Sequence, residues 1–189
     1  MAFARGGHAT HVARKLTDIV KLPLLKKEPT AKIGEIWRAF HEDRADAIGR
    51  DVPAKTASML ADRAGAAPHF LFPVHRDAGH FMLLSQFQDR RHFLFTSLED
   101  YKANPAFARP YLTLTLHDDL ARLKDIVLLR GDVEAQLTKA EADHVVTQTI
   151  ESYCIASRFS AKAGPLTFNQ KPDAFDLDEM MKLYPRRPH

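Results

Sequence analysis

The sequence is poor in cysteine, in long apolar runs and in charge of one sign. Cys154 is the only cysteine in 189 residues, which excludes an intramolecular disulfide and any zinc site made of several cysteines. No run approaches the roughly 20 consecutive apolar residues of a membrane-spanning helix. The net charge is only +3, and both signs are mixed along the chain. We therefore expect a soluble protein of a reducing compartment with no membrane span.

Glycine is also scarce. The chain has eight glycines, and none of them forms a G-x-G or a G-x-x-x-x-G-K motif. Phosphate-binding loops need such glycines because backbone amides must approach the anion closely. The sequence therefore predicts no nucleotide hydrolysis, no cofactor and no small-molecule substrate.

Acidic residues are missing from the start of the chain. The first is Asp18, whereas Arg5, Arg14 and Lys15 precede it. This composition is typical of an organelle transit peptide, and a flexible N-terminus or a cloning remnant is the alternative. No apolar stretch follows Met1, so a secretory signal peptide does not fit. We expect a basic, flexible segment at residues 1–15 and a single domain at residues 16–189.

The N-terminal third of the chain has helical periodicity. Ile33, Ile36, Trp37 and Phe40 recur at a 3.6-residue period and predict an amphipathic helix capped by Thr30. A second helix is predicted to begin at residue 53, since proline suits a first turn, and to stop at residue 65.

The middle of the chain predicts a sheet. Strands are expected at 69–74, 80–87 and 91–97, and their short connections require antiparallel neighbours. Residues 111–116 alternate apolar and polar side chains, which predicts one face toward water. Residues 125–133 contain a continuous apolar run and predict a central strand.

The last third of the chain returns to helix. Thr138 and Glu141 form a capping box before an apolar stripe, and Asp176 with Glu179 predicts the cap of a final helix. Residues 165–169 are expected to add a last strand. The whole pattern predicts an α+β fold, with one domain whose mostly antiparallel sheet is flanked by N-terminal and C-terminal helices.

No catalytic constellation is evident. Cys154 and His144 lie too far apart on one predicted helix to form a thiolate and its base. His117 stands beside two aspartates without a nucleophile, which indicates a solvated turn or a helix cap. His75 and His80 bracket a hairpin, but a third metal ligand is lacking nearby, so surface turn residues are favoured. We predict that the chain is not an enzyme.

One feature suggests RNA binding. Phe93 and Phe95 share a predicted strand with Arg90 and Arg91 at its start, as in sheets that stack bases. The segment lacks the glycine and spacing of the RNP signature. Alternate strand residues share one face, so core packing of both rings is favoured, and no nucleic acid is expected as a partner.

Several blocks, in order, carry a family resemblance. They are 16–25, 33–41, 68–76, 92–105, 125–133 and the pair Phe168 and Asn169, followed by Pro172 and Phe175. Through these blocks the chain, from about Leu16 to Asp176, resembles the mitochondrial assembly factors that chaperone the beta subunit of the F(1) sector of ATP synthase.

The resemblance implies a function. It implies a mitochondrial matrix protein that binds the unassembled beta subunit, prevents its aggregation until the alpha subunit joins, and hydrolyses no ATP. Such a protein needs exposed apolar surface that complements its partner. The candidate partner-binding residues are Leu22, Leu24 and Leu25, in a segment whose proline prevents a continuous helix, together with Phe93 and Phe95.

Overall fold

The computed structural model describes residues 14–77 and 79–186. Two short 3-10 turns lie at Leu16–Asp18 and Pro172–Ala174. The helices of the described residues are α1 (Leu22–Leu25), α2 (Thr30–Glu42), α3 (Ala54–Ala66), α4 (Leu98–Ala103), α5 (Ala121–Lys124), α6 (Lys139–Cys154), α7 (Ala156–Phe159), α8 (Pro165–Gln170) and α9 (Leu177–Leu183). The strands are β1 (Ala47–Pro53), β2 (His69–Arg76), β3 (Gly79–Gln88), β4 (His92–Ser97), β5 (Pro110–His117) and β6 (Ile126–Val133). Most of the predicted N-terminal segment, residues 1–13, lies outside the described residues.

One antiparallel sheet organises the chain. Its strand order is β1-β6-β5-β4-β3-β2, and every neighbouring pair is antiparallel. The predicted α+β fold with its antiparallel sheet is therefore confirmed. Strand β1 was not predicted, because its short segment contains a glycine, two charged residues and a terminal proline rather than an alternating pattern.

The main core lies on the sheet face that α3 and α6 cover. It contains Leu60 of α3, Val145 and Tyr153 of α6, and Phe72 and Phe95 of the sheet. Burial of this apolar surface is the chief stabilising term of the fold. None of the helices in the described ranges is long and apolar enough to cross a bilayer.

A smaller core lies on the other face of the sheet. Ile33 and Trp37 of α2 pack there against Leu128 of β6, with Leu16 and Leu25 from the preceding segment. The Trp37 indole Nε1 donates a hydrogen bond to the Leu129 carbonyl oxygen at 3.0 Å. This bond fixes α2 on the strand pair β1 and β6.

Three local predictions were wrong. Residues 165–169 form helix α8 rather than a strand, since Pro165 stands at its first position, where a helix needs no N–H. Thr30 does not cap α2; Pro29 holds that position, and the Thr30 hydroxyl donates to the Lys124 carbonyl instead. Helix α3 continues through Gly65 to its end at Ala66.

Strand β5 also differs from its prediction. Its threonines Thr113 and Thr115 are buried, although the alternating pattern predicted a face open to water. Thr115 lies between His92 of β4 and Arg130 of β6 in the register of the sheet. Both neighbouring strands therefore flank it with large side chains. The interior position of β6, next to the edge strand β1, agrees with the prediction from its apolar run.

The C-terminal helices close the edge of the sheet at β2. The Asn169 Oδ1 accepts a hydrogen bond from the His69 amide at 3.1 Å, and Asn169 Nδ2 donates to the His69 carbonyl at 2.6 Å. One side chain thus replaces the pairing that a neighbouring strand would supply. Phe168 and Phe175 pack edge-on against Phe70 beside it.

Candidate partner-binding surface

Helix α1 holds three of the five predicted partner-binding residues. The segment forms a single helical turn with Pro23 at its second position, so the proline starts the turn instead of interrupting it. Leu25 is buried in the smaller core and Leu22 packs partly against it. Leu24 is 56% exposed. The three leucines therefore face different surroundings, and Leu24 is the one that a partner can reach most directly.

Phe93 and Phe95 lie inside the main core. Both rings are fully buried, and Phe93 packs against Tyr153 of α6 with 5.7 Å between the ring centroids. The core-packing interpretation is confirmed. Arg90 and Arg91, at the start of the same segment, pair with Asp62 and Asp118. The rings on which the RNA-binding alternative depended are absent from the surface, and their role in partner binding stays a prediction.

Helix α2 carries more apolar surface than the core covers. Ile33 and Trp37, four residues apart, face the sheet and are buried, whereas Ile36 and Phe40, also four residues apart, are exposed. The sequence pattern predicted a single stripe that includes all four. Phe40 is 38% exposed, and the Arg44 guanidinium lies over its ring at 4.6 Å. We name the three exposed side chains, Leu24 on α1 with Ile36 and Phe40 on α2, the N-terminal apolar patch, a set defined by their exposure.

A groove lies beside Leu24, the α1 member of this patch. It runs along residues 17–24 with a volume of about 520 Å³, and Ile19, Val20, Leu22 and Leu24 are among its lining residues. The exposed Lys21 lines it, and the exposed Lys26 and Lys27 follow shortly after it in the chain. Apolar surface with a charged rim is the usual anatomy of a site that binds another protein.

A buried polar network holds α2 in place at its C-terminal end. Arg130 of β6 is 3% exposed, and its Nη1 donates a hydrogen bond to His41 Nε2 at 2.8 Å. Its Nε donates to Asp132 Oδ1 at 2.9 Å. Lys139 of α6 donates to the carbonyls of His41, Glu42 and Arg44, which lie at the C-terminal end of α2. The exposed face of α2 is therefore presented on a rigid support.

The catalytic alternatives find no support in the described part of the chain. Cys154 is half-buried, its Sγ lies 3.8 Å from the Thr56 carbonyl, and burial raises the pKa of its thiol. A thiol with a raised pKa is a poor nucleophile at neutral pH. His117 is buried beside Trp37, which corrects the prediction of a solvated turn. Burial lowers its pKa from 6.5 to about 4, so it is neutral.

His75 and His80 face each other across the β2–β3 hairpin, as their spacing suggested. Their ring centroids are 5.8 Å apart, and His75 Nε2 lies 2.8 Å from the Tyr184 carbonyl oxygen. Within residues 14–77 and 79–186, no three histidine, cysteine, aspartate or glutamate side chains are grouped so as to hold a metal ion. His75 thus acts in the packing of the C-terminal segment on β2, whereas His80 is exposed.

Comparison with known proteins decides the family. The model of the ATP11 protein family matches residues 5–181, which include α1, α2 and the whole sheet. The chain belongs to the ATP11 family. The resemblance based on its blocks is thereby confirmed, and these blocks fall on α1, α2, β2, β4 with α4, β6 and α8.

Two curated proteins are similar to the chain. ATP synthase mitochondrial F1 complex assembly factor 1 of Danio rerio is 24% identical over 162 residues, which cover 86% of this chain and 53% of that protein. Protein atp11, mitochondrial, of Schizosaccharomyces pombe is 28% identical over 147 residues, which cover 75% of this chain and 51% of that protein. The chain spans about half the length of these relatives.

Proposed function

We propose that this chain is a mitochondrial assembly factor for the F(1) sector of ATP synthase and that it acts by binding a subunit rather than by catalysis. Its membership of the ATP11 family over residues 5–181 carries the proposal. The relative from Danio rerio is named as an assembly factor of the F1 complex. Both relatives are named as mitochondrial proteins, and we place this chain in the matrix, where the F(1) sector is built.

The partner is the unassembled beta subunit, which the chain protects from aggregation until the alpha subunit joins. A subunit that lacks its neighbour exposes an apolar interface, and such surfaces aggregate when they are left bare. The N-terminal apolar patch supports this role because it offers three large exposed apolar side chains, two of them on the anchored helix α2. Binding through a modest exposed patch suits a partner that must later be released.

A binding assay with separate alpha and beta subunits tests the proposal. The purified chain should retain the beta subunit and not the assembled F(1) sector, and it should suppress light scattering by the beta subunit without added nucleotide. Failure to retain the beta subunit contradicts the proposal. Leu24→Glu should weaken binding by about tenfold or more, which corresponds to the loss of one buried apolar contact.

A matched variant controls for the added charge. Leu177 of α9 is also a leucine on the surface, 48% exposed and outside the N-terminal apolar patch. Leu177→Glu should bind the beta subunit as tightly as the unchanged chain. Equal losses in both variants point to a general effect of charge and remove the patch from the proposal.

A further inference from the structure

Strand β1 has a free edge. Val133 N donates to Asp46 O at 2.8 Å, which sets the alternation of the hydrogen bonds between β1 and β6. Odd-numbered residues of β1 therefore direct their N–H and C=O groups away from β6. Ala47 is wholly buried, so the reachable groups are those of Gly49 and Asp51. Neither residue forms an outward backbone hydrogen bond with another described residue.

The opposite edge of the sheet is blocked at two of its outward residues. Phe87 N donates to Pro68 O at 2.8 Å, so the odd-numbered residues of β2 face outward. Asn169 satisfies both groups of His69, and Pro73, in the same outward phase, has no N–H. Covering side chains and edge prolines are the usual means of preventing strand addition. Strand β2 has both a covering side chain and an edge proline, whereas β1 has a proline only at its last residue, Pro53.

A groove runs along the free edge. Its volume is about 550 Å³, and Glu35, Arg38 and Glu42 of α2 lie on one side, with Lys139 and Asp143 of α6 on the other. Gly49 lies between them and has no side chain, so its exposed surface is main chain. A second cavity of about 350 Å³ shares Arg50 and Asp143 with the groove and extends it toward β2.

We propose that an extended segment of the beta subunit, the client of this chaperone, adds to the sheet as a seventh strand. It pairs with Gly49 and Asp51 of β1 and lies between α2 and α6. The inference rests on the proposed function and names how the client is held. Two outward residues offer four main-chain groups at strand spacing, and such groups recognise another extended main chain whatever its side chains. A chaperone gains from this mode because the exposed segment need not be folded.

The walls of the groove define the segment further. Glu42 places negative charge on the α2 side, whereas Glu35 is already paired with Lys32 and Arg38 with Asp51. Side chains of an added strand alternate between the two sides. We therefore expect a lysine or arginine of the segment to face α2, and salt should weaken that contact.

Hydrogen exchange of the full chain, followed residue by residue by NMR, tests the proposal directly. On addition of the purified beta subunit, the amides of Gly49 and Asp51 should become protected by about tenfold or more, as expected for newly hydrogen-bonded groups. The Leu71 amide, which also points outward but from β2, should exchange as before. Its response separates strand addition at β1 from a general stabilisation of the sheet.

A pair of variants tests the same hydrogen bonds by affinity. Asp51→Pro and Asp51→Ala both remove the partner of Arg38, but only the proline removes the outward N–H. Pro53, the last residue of β1, is also an outward residue and likewise has no N–H. Asp51→Pro should bind the beta subunit about tenfold more weakly than Asp51→Ala, since one client carbonyl loses its donor. Circular dichroism establishes that both variants are folded.

The outcomes separate the two proposals. If the beta subunit binds while the Gly49 and Asp51 amides stay unprotected, strand addition is overturned and the proposed function stands. Equal affinities of the two folded variants also overturn it. If the unchanged chain does not bind the beta subunit, both proposals fall. If Asp51→Pro does not fold, the exchange experiment on the unchanged chain decides.

Discussion

His41 of α2 accepts a hydrogen bond from the Arg130 guanidinium of β6 at 2.8 Å, and its Nδ1 lies 2.8 Å from the Trp37 carbonyl oxygen. Arg130 can only donate, so His41 Nε2 must be the acceptor and Nδ1 must carry the proton. The ring is therefore neutral. Burial lowers its pKa, against the opposing effect of the bond to Trp37, and Arg130 lowers it further.

This relationship predicts that His41→Ala destabilises the protein. The change leaves the buried Arg130 Nη1 and the Trp37 carbonyl without their partner, and a buried group left unsatisfied costs about 1–3 kcal/mol, more when it is charged. We expect the free energy of unfolding in urea at pH 7 to fall by about 3 kcal/mol. The exposed His80 supplies the control, since His80→Ala should change it by less than about 0.5 kcal/mol. Equal effects of both variants contradict the structural role of His41.

His117 predicts a loss of stability in acid. Its pKa is about 4 in the folded protein and 6.5 as the ordinary value, so the unfolded chain binds a proton over this interval and the folded protein does not. The stabilising contribution is complete above pH 6.5 and declines as the pH falls toward 4. From pH 7.5 to pH 5, we expect about 2 kcal/mol of unfolding free energy to be lost through this residue.

The variant His117→Phe identifies the source of that loss. It removes the titrating group, and it also removes a buried Nε2 that has no hydrogen-bond partner among the described residues. Urea unfolding at pH 7.5 and pH 5 should show a smaller decrease in unfolding free energy than in the unchanged chain. Protonation of His41 should account for part of the decrease that remains. An unchanged decrease shows that other groups cause the acid sensitivity.

Substitution of alanine for glycine should change the stability in opposite directions at Gly49 and Gly65. A Cβ at Gly49 would lie 2.5 Å from His41 Nδ1 and 3.0 Å from the Trp37 carbonyl oxygen. Because helix α2 lies so close, Gly49→Ala should cost about 1–3 kcal/mol. A Cβ at Gly65 of α3 meets nothing nearer than Arg90 Nη1 at 3.8 Å. Gly65→Ala should instead stabilise by about 0.5–1 kcal/mol, and thermal unfolding of the two variants checks both signs.

Loss of the Asn169 side chain should destabilise the protein at the β2 edge. Asn169→Ala leaves the His69 amide and carbonyl without their partner, and an unpaired strand edge promotes association between molecules. We expect about 1–2 kcal/mol of destabilisation and more aggregation on heating. Asn169→Asp keeps an acceptor for the His69 amide but loses the donor to its carbonyl, so its effect should be intermediate. Light scattering during a thermal ramp compares them, and an unaffected alanine variant shows that the edge needs no cover.

Local patterns in the sequence predicted much of the fold. The β2–β3–β4 antiparallel order followed from short connections, and the capping box of α6 and the cap of α9 were recognisable because the interacting residues lie three apart. Family membership also followed from ordered blocks of sequence. These features depend on neighbours in the chain, so the chain alone specifies them.

Only the tertiary structure decided which apolar residues are left exposed and which sheet edge is open. Ile36 and Phe40 belong to the same sequence stripe as Ile33 and Trp37, and the angle at which α2 meets the sheet separates them. Strand β1 exists because it pairs with β6, almost 80 residues later. Asn169 closes β2 from 100 residues away. Contacts between such distant residues leave no periodic signal in the sequence, because burial and pairing are set by the packed elements and not by the local chain.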